Sequence, residues 1–369
     1  MDWRWPAAGA IVAFQLIFVG WLLLKPGGDS ALLWFDDISV AVGAFLAGVM
    51  SLFAVRRYWG SQTGLAWAFI ALGLFLFSFG DGSWAFQEIA LGIEVPFPSV
   101  SDIGYLGAYP AVFLGLLLMP QAPATGMRRT KLALDVIIGM VAVTVISWNF
   151  VVSPLLTEGQ GSTLADAIGV AYPLADLAII FAILVLIARA SPGSSTAYLF
   201  VLGAAFAATA LSDSLYTYLT QVGDYATGSY IDIGWLAGYN LVTLSALLCI
   251  GPRRAPAARP RESQTASFWQ SLSLYASVLP LGVLLLLERE TLLTAGVLCV
   301  VALMFSRQLM AIHENIALNR QLAELTVDLE VRVKEQMLQL LRSRSGPAAR
   351  EVGDAATSGS PVGAETPAP

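Results

Sequence analysis

Long apolar stretches alternate with short polar segments along most of the chain. A helix that crosses the roughly 30 Å hydrocarbon core of a bilayer needs about 20 predominantly apolar residues. Stretches of this length recur up to residue 307 and predict ten transmembrane helices. Their predicted bounds are 7–24, 36–55, 64–86, 102–119, 132–153, 166–188, 197–219, 230–250, 269–287 and 290–307. The pattern therefore predicts an all-α, polytopic membrane protein whose transmembrane domain spans 1–307.

The composition agrees with this class and narrows the chemistry. Hydrophobic residues make up 57% of the chain and charged residues only 12%, whereas charged residues are about a quarter of a soluble domain. Both cysteines, Cys249 and Cys299, lie in apolar stretches, and His313 is the single histidine. We therefore expect neither a disulfide nor a metal site. Without a phosphate-binding loop, a nucleophile elbow or a basic–aromatic surface, we expect no enzymatic activity and no nucleic-acid partner.

Basic residues are concentrated in alternate loops, and this bias predicts the orientation in the membrane. One set of loops holds Arg56, Arg57, Arg128, Arg129, Lys131, Arg189, Arg253, Arg254, Arg259 and Arg261. The other set holds only two basic residues together with several acids: Lys25, Arg289, Glu88, Glu94 and Glu158. Because positively charged loops stay in the cytoplasm, both termini are predicted to be cytoplasmic.

One sequence pattern occurs twice and indicates an internal duplication. Residues 102–109 read Asp-Ile-Gly-Tyr-Leu-Gly-Ala-Tyr, and residues 232–239 read Asp-Ile-Gly-Trp-Leu-Ala-Gly-Tyr. About twenty residues before each copy, an aspartate lies inside another apolar stretch: Asp81 in the first case and Asp213 in the second. Two matches at nearly the same offset predict parallel repeats of helical hairpins, with related segments at 64–120 and 197–250.

Aspartates inside the predicted helices are the strongest indication of a site. Asp81, Asp176 and Asp213 lie in the outer halves of their predicted helices, and no basic residue lies at that depth. An aspartate at mid-helix costs about 2.5–3.5 kcal/mol to insert, so it normally faces a cavity or a partner. One interpretation is an outward-facing polar pocket for a cation, a proton or a small ligand. The other is hydrogen bonding that only fixes the helix packing.

The duplicated pattern adds residues to the rim of this predicted pocket. Asp102 and Asp232 precede apolar helices, where an N-cap aspartate accepts hydrogen bonds from the free N–H groups of the first turn. Aromatic residues follow at the third and seventh positions: Tyr105, Tyr109, Trp235 and Tyr239. These side chains share roughly one helix face, which either lines a pocket or belongs to the aromatic belt at a membrane surface.

After residue 307 the chain changes character. Apolar residues at the 4-3-4 spacing of a heptad seam are Leu318, Leu322, Leu325 and Leu329, after which Val333 leaves the register. Residues 308–344 are therefore predicted to form a cytoplasmic helix that joins two copies in a short coiled coil. The alternative is an amphipathic helix that lies on the membrane. Residues 345–369, rich in small residues and proline, are predicted to be a disordered tail.

Several of these motifs resemble a multi-pass membrane input module of bacterial signalling proteins. The resemblance rests on Gly80-Asp81, Trp84, Pro96-Phe97-Pro98-Ser99, Asp102, Tyr105-Leu106, Tyr109-Pro110, Leu134-Asp135 and Tyr172-Pro173-Leu174-Ala175-Asp176. Such modules stand ahead of diguanylate cyclase (GGDEF), phosphodiesterase (EAL) or histidine kinase domains. The resemblance covers about residues 35–340. It implies a sensory role in the bacterial inner membrane, with 308–344 as the signalling helix. No output domain follows this helix, so we expect either that a separate cytoplasmic signalling protein is the partner or that the natural output was lost.

The sequence therefore predicts a sensor of a small ligand, an ion or the membrane state. Its candidate binding residues are Asp81, Trp84, Asp102, Tyr105, Tyr109, Asp176, Asp213, Asp232, Trp235 and Tyr239. Membrane lipid is the expected surrounding partner, and no particular cofactor is indicated. Two other classes stay open. One is a proton- or ion-coupled secondary transporter, which predicts a polar pathway to both sides; the other is a membrane scaffold whose acids are purely structural.

Overall fold

The computed structural model describes residues 3–120, 126–158, 162–189, 197–251 and 291–357. Over these ranges all regular structure is helical, and no strand occurs in them. The helices are α1 (Arg4–Leu24), α2 (Gly28–Arg57), α3 (Gln62–Ala85), α4 (Val100–Leu118), α5 (Gly126–Ser147), α6 (Ser153–Glu158), α7 (Thr163–Arg189), α8 (Ala197–Val222), α9 (Asp232–Ile250) and α10 (Thr291–Thr357). Single π-helical turns, Phe86–Ala90 and Trp148–Val152, extend α3 and α5.

Within the described ranges, nine helices are long and apolar enough to cross a membrane. They coincide in position with nine of the ten predicted helices, and the predicted helix 269–287 lies outside the described residues. The prediction for the second helix is wrong at its start, because α2 begins at Gly28 and not at residue 36. The apolar residues Leu32 to Phe35 continue the helix upstream of Asp36 and Asp37. The class, an all-helical polytopic membrane protein, agrees with the prediction.

Six of the described helices form a closed ring. The neighbouring pairs are α2–α3, α3–α4, α4–α7, α7–α8, α8–α9 and α9–α2. Outside this ring, α1 packs against α9, and α5 packs against α7. The order of the helices around the ring follows from the short connections within α2–α3–α4 and α7–α8–α9. These connections place consecutive helices side by side and antiparallel. In such an arrangement α2, α4, α7 and α9 begin at the end of the ring where α3 and α8 finish.

Apolar side chains fill the interior of the ring and also cover its outside. The largest fully buried side chains include Trp67, Ile70, Leu74, Leu202 and Leu236. Large apolar residues on the outer faces are exposed, among them Phe45, Leu72, Phe79, Ile103 and Leu114. A soluble protein seldom exposes apolar area on this scale. The outer surface is instead suited to contact with lipid.

The last helix contributes to two structural units. Its first part belongs to the unit that ends at Phe305, where Val297 and Val300 pack against Ile138 and Ala142 of α5. The second unit comprises the rest of the chain from Ser306. There the apolar residues of the predicted seam are all exposed: Leu318, Leu322, Leu325, Leu329 and Val333. The helix continues to Thr357, into the predicted tail, and residues 358–369 lie outside the described ranges.

We predict that the close approach of α3 and α4 depends on Gly104. A Cβ atom at this position would lie 2.6 Å from the backbone nitrogen of Gly80 and from the carbonyl oxygen of Leu76. Backbone atoms have little room to move away, so Gly104→Ala is expected to destabilise the protein by about 1–3 kcal/mol. Thermal unfolding in detergent measures the effect.

The matched control for this variant is Gly107→Ala on the same helix. A Cβ at Gly107 would meet only Leu76 Cδ1, at 3.8 Å, which is ordinary contact. Alanine is also the better helix former by about 0.8–1 kcal/mol. We expect Gly107→Ala to be neutral or stabilising, and equal effects of the two variants would contradict the prediction.

Candidate functional site

A cavity of about 260 Å³ lies at the end of the ring where α2, α4, α7 and α9 begin. For comparison, one water molecule needs roughly 10–15 Å³. All six ring helices contribute to its wall, together with residues of the α3–α4 and α8–α9 connections. Its polar and aromatic lining includes Asp36, Asp37, Phe77, Asp81, Trp84, Phe97, Ser99, Asp102, Tyr105, Tyr172, Thr209, Asp213, Tyr216, Thr217, Thr220, Gln221, Tyr225, Trp235 and Tyr239.

The predicted site residues come together here. Seven of them line the cavity: Asp81, Trp84, Asp102, Tyr105, Asp213, Trp235 and Tyr239. Two others, Tyr109 and Asp176, line a second, much smaller cavity of about 10 Å³, to which Asp213 also belongs. Asp232 lies behind the wall and is hydrogen-bonded to Asp36. Residues from five separate sequence segments thus form one continuous polar region.

Asp81 and Asp213 occupy equivalent positions in this region. Asp81 is hydrogen-bonded to Tyr105, and its Oδ2 accepts from the Tyr239 hydroxyl at 3.1 Å. Asp213 Oδ1 accepts from Trp235 Nε1 at 2.7 Å, and Asp213 Oδ2 accepts from the Tyr109 hydroxyl at 2.9 Å. Each aspartate therefore has two aromatic donors, one from each copy of the duplicated pattern.

The bonds of the two copies are reciprocal. The aromatic residue at the third position after the leading aspartate, Tyr105 or Trp235, bonds to the aspartate of its own hairpin. The tyrosine at the seventh position, Tyr109 or Tyr239, bonds to the aspartate of the other hairpin. Helices α4 and α8 are not neighbours in the ring, and neither are α9 and α3. These two bonds therefore cross the interior and tie the opposite halves together.

Tyr109 also reaches a second carboxyl group. Its hydroxyl lies 2.9 Å from Asp176 Oδ1, and Asp176 is in turn hydrogen-bonded to Asp213. A hydrogen bond between two carboxyl groups requires a proton on one of them. The Asp176 and Asp213 carboxyl groups therefore lie close enough to share a proton. Both Tyr109 and Tyr239 are buried, so they do not lie in an aromatic belt at the membrane surface.

Asp102 and Asp232 hold the starts of their helices, but not as the predicted N-caps. The N-cap of α4 is Ser99, and Asp102 is the third helical residue of a capping box, with Oδ2 accepting from Ser99 N at 2.6 Å. The Ser-x-x-Asp sequence favours this geometry because two free N–H groups are satisfied reciprocally. Asp232 is the first residue of α9, and its Oδ2 accepts at 2.8 Å from the backbone nitrogens of Gly228 and Ser229.

The second oxygen of each of these aspartates points toward aromatic hydroxyls. Asp102 Oδ1 accepts from the Tyr172 hydroxyl at 2.6 Å, which links α4 to α7. Asp232 Oδ1 accepts from the Tyr225 hydroxyl at 3.3 Å. Enclosure of Tyr225 and the nearby Asp232 raise its pKa well above the usual value, so the hydroxyl stays protonated and serves as a donor. The two aspartates thus act as helix caps and as parts of the cavity region at once.

An aromatic cluster surrounds Tyr216. The ring centroid of Tyr216 lies 4.7 Å from that of Tyr225, 5.7 Å from that of Trp235 and 6.4 Å from that of Trp84. Trp84 Nε1 donates to Glu88 Oε2 at 2.8 Å. Glu88 also accepts from the hydroxyl of Thr227 at about 3.0 Å. The cluster therefore covers the wall formed by the ends of α3 and α8.

Asp36 and Asp37 belong to the site although the sequence argument did not select them. Both line the cavity and are buried in the first half of α2. The criterion that singled out Asp81, an aspartate within an apolar stretch, also applies to them. The predicted helix begins at residue 36, so the sequence pattern places these two aspartates at a helix end.

The site has no positive charge of its own within the described residues. None of the lining residues is lysine, arginine or histidine. In the part of the chain that the structure describes, no group of three or more histidine, cysteine or acidic residues is placed to hold a metal ion. Fold and site together define an all-helical, membrane-type protein with an acidic, aromatic-lined cavity at one end of a helical ring. No protein-family model, no curated protein and no solved structure matches the chain.

We predict that Tyr109→Phe destabilises the protein more than any other single tyrosine-to-phenylalanine change in the ring. The substitution removes the hydroxyl that contacts both Asp176 and Asp213 and leaves buried carboxyl oxygens without a donor. The expected loss is about 1–3 kcal/mol, measured by thermal unfolding in detergent.

The control is Tyr230→Phe, because Tyr230 is 73% exposed and its hydroxyl is accessible to water. This variant is expected to unfold at the same temperature as the unmodified protein. A Tyr109→Phe protein as stable as the control would show that the cross-ring hydrogen bonds contribute nothing to stability.

Proposed function

We propose that this chain is a membrane-embedded signal-input protein. A small ligand, an ion or a change in the membrane acts at the acidic, aromatic-lined cavity, and residues 308–344 relay the change to a separate cytoplasmic signalling protein. The observation that carries the proposal is the construction of the cavity, to which all six ring helices contribute. A ligand in this place contacts both halves of the ring, so its binding energy can favour one packing of the helices over another.

The reciprocal hydrogen bonds support a parallel duplication. In a parallel duplication, a two-fold axis along the helix direction would exchange α3–α4 with α8–α9, and the bonds of Tyr109 to Asp213 and of Tyr239 to Asp81 are those that such an axis would exchange. Parallel repeats related in this way place the ligand site on the axis between them. A ligand on such an axis is positioned to act on both repeats.

The distribution of charge supports a cavity that faces outward from a bacterial inner membrane. Arg57 and Arg189 are the last residues of α2 and α7, at the ends opposite to the cavity. Since basic ends of membrane helices stay in the cytoplasm, the cavity lies in the outer half and both termini are cytoplasmic. Membrane lipid covers the exposed apolar faces of the ring.

The apolar stripe of α10 supports a homodimer through residues 308–344. Its leucines follow heptad spacing, and they are exposed in the single chain: Leu318, Leu322, Leu325 and Leu329. Arg332 and Asp328, four residues apart, form an ion pair of 2.8 Å on the same helix. Pairing with a second copy would bury the stripe as far as Leu329.

A proton- or ion-coupled secondary transporter is the second candidate, and the carboxyl pair Asp176–Asp213 favours it because such pairs take up and release protons. A transporter needs a continuous polar path to the opposite side. Beyond the main cavity, the space next to Asp176 amounts to about 10 Å³, about the room for one water. The geometry therefore favours a site that closes within the ring, as in a sensor. Proton-dependent solute uptake into proteoliposomes would reverse this preference.

We predict that Leu322→Cys forms a disulfide-linked dimer in membranes under mild oxidation. Position 322 lies in the predicted seam, so two copies bring their sulfur atoms together. Glu324→Cys, two residues away and outside the seam, is the matched control and is expected to remain monomeric. Both variants are made with Cys299 replaced by serine, because Cys299 is itself exposed. Equal cross-linking of the two variants, or none, would show that 308–344 does not pair in this way.

The relay is tested by combining the cross-link with changes at the cavity. Asp81→Asn with Asp213→Asn alters both ends of the reciprocal network, and we expect it to change the yield of the Leu322→Cys dimer by about twofold or more. Asp29→Asn, an exposed position on α2 away from the cavity, is the control. If the double variant folds and cross-links like the control, the cavity does not communicate with the cytoplasmic helix, and a scaffold is the better description.

A further inference from the structure

The wall of the cavity points to one class of ligand, an inference that rests on the proposal that the cavity is a ligand site. Asp36 and Asp37 line the cavity and are only 3% and 7% exposed. Among the described residues, Asp36 Oδ1 and Asp37 Oδ2 have no hydrogen-bond partner. An enclosed carboxyl oxygen without a donor is costly. A ligand that brings positive charge and donors to this wall lowers that cost.

The surroundings of Asp37 strengthen this requirement. The charged groups that act on Asp37 are Glu88, Asp232 and Asp81, and all of them are acids. No lysine, arginine or histidine belongs to the described lining. An anion at this place would add to the repulsion, whereas a cation reduces it. The charge of the site therefore selects for a cation.

The aromatic residues determine what kind of cation fits. Trp84, Tyr216, Tyr225 and Trp235 all line the cavity and form the cluster around Tyr216. Asp36, Asp37 and Asp102 line the same cavity as these rings, so the aromatic rings and the carboxyls border the same space. Aromatic faces attract cations within about 6 Å of the ring centre. This attraction favours ammonium groups that carry carbon substituents, because these groups are weakly hydrated.

The size of the cavity also favours a cation that is larger than a metal ion. A bare metal ion would occupy little of the 260 Å³, and the described residues contain no group of three ligands placed to bind one. We infer that the cavity binds an organic cation, a protonated amine or a quaternary ammonium group, held by Asp36 and Asp37 and by the aromatic cluster around Tyr216. Such a group occurs both in free solutes and in the headgroups of membrane lipids.

The test uses choline chloride as the probe and the full chain in phosphatidylglycerol nanodiscs. Its neutral isostere, 3,3-dimethylbutan-1-ol, has the same shape with carbon in place of nitrogen and serves as the ligand control; sodium chloride controls for ionic strength. Choline at about ten times its Kd is expected to raise the unfolding midpoint by about 3 °C, while the isostere and the salt leave it unchanged. Nanodiscs of phosphatidylcholine without added choline form the lipid arm.

The two arms identify the source of the cation. A shift with free choline in phosphatidylglycerol nanodiscs supports a soluble cation. A shift of similar size in phosphatidylcholine nanodiscs, with no response to free choline, supports a lipid headgroup. If choline and its isostere act equally, or if neither choline nor phosphatidylcholine has an effect, the inference of a cation site is overturned.

Two variants separate binding from folding. Asp37→Asn removes an enclosed acid that lies among other acids, so the unliganded protein should be at least as stable as the unmodified one, yet bind choline about tenfold more weakly. Tyr216→Leu keeps the site apolar but removes the central ring, and a similar loss of affinity is expected. Asp29→Asn should bind normally. A destabilised Asp37→Asn protein with unchanged affinity would mean that Asp37 is structural.

The outcomes also distinguish this inference from the proposed function. If choline binds but the yield of the Leu322→Cys cross-link does not respond to it, the cavity is a cation site and the relay is wrong. If choline does not bind but the cavity variants still change the cross-link, the relay stands and the ligand belongs to another class.

Discussion

Carboxyl groups enclosed among membrane helices need hydrogen-bond donors. In this ring, the positions of the donors determine how the helices are arranged. They are aromatic side chains of other helices: Tyr239 reaches across to Asp81, and Tyr109 reaches across to Asp213. An unpaired carboxyl in this setting costs several kcal/mol, so the helices are held where the donors can reach. Tyrosine and tryptophan suit this role because they are neutral and rigid and fill space with their rings. The same contacts that stabilise the acids therefore fix which helices face each other.

The acids of the site divide into two groups by how well they are satisfied. Asp81, Asp213 and Asp102 each accept from aromatic donors or from the backbone. Asp36 and Asp37 each have an oxygen without a partner among the described residues. A network in which every acid were satisfied would be a packing device, as the structural interpretation of the sequence supposes. The acids with an unsatisfied oxygen both lie on α2, at the wall of the cavity.

Much of this arrangement could be predicted from the sequence because membrane helices are long and uniformly apolar, and a duplicated motif identifies equivalent positions. The positions of Asp81, Asp213 and the aromatic residues after Asp102 and Asp232 follow from that motif. Two things could not be predicted. The reciprocal pairing depends on side chains of α9 reaching α3, and of α4 reaching α8, although these helices are not neighbours in the ring, which no local pattern encodes. The role of Asp36 and Asp37 depends on α2 starting at Gly28, and helix starts are poorly marked where apolar residues continue on both sides of a polar pair.

The contacts of Asp36 suggest how a ligand can change the packing of α2 against α9 in the ring. Asp36 is hydrogen-bonded to Asp232, and Asp232 holds the backbone of Gly228 and Ser229 at the start of α9. A cation that attracts Asp36 competes with this pair, so binding acts directly on the contact between α2 and α9. A ligand shifts an equilibrium only by the difference in its affinity for the two states, and a carboxyl that serves both the contact and the ligand supplies such a difference. A protein selected only for stability would gain from an apolar residue at position 36 or 37, because that change removes the cost of an unsatisfied carboxyl. The two acids therefore favour a site in which some stability is given up for binding.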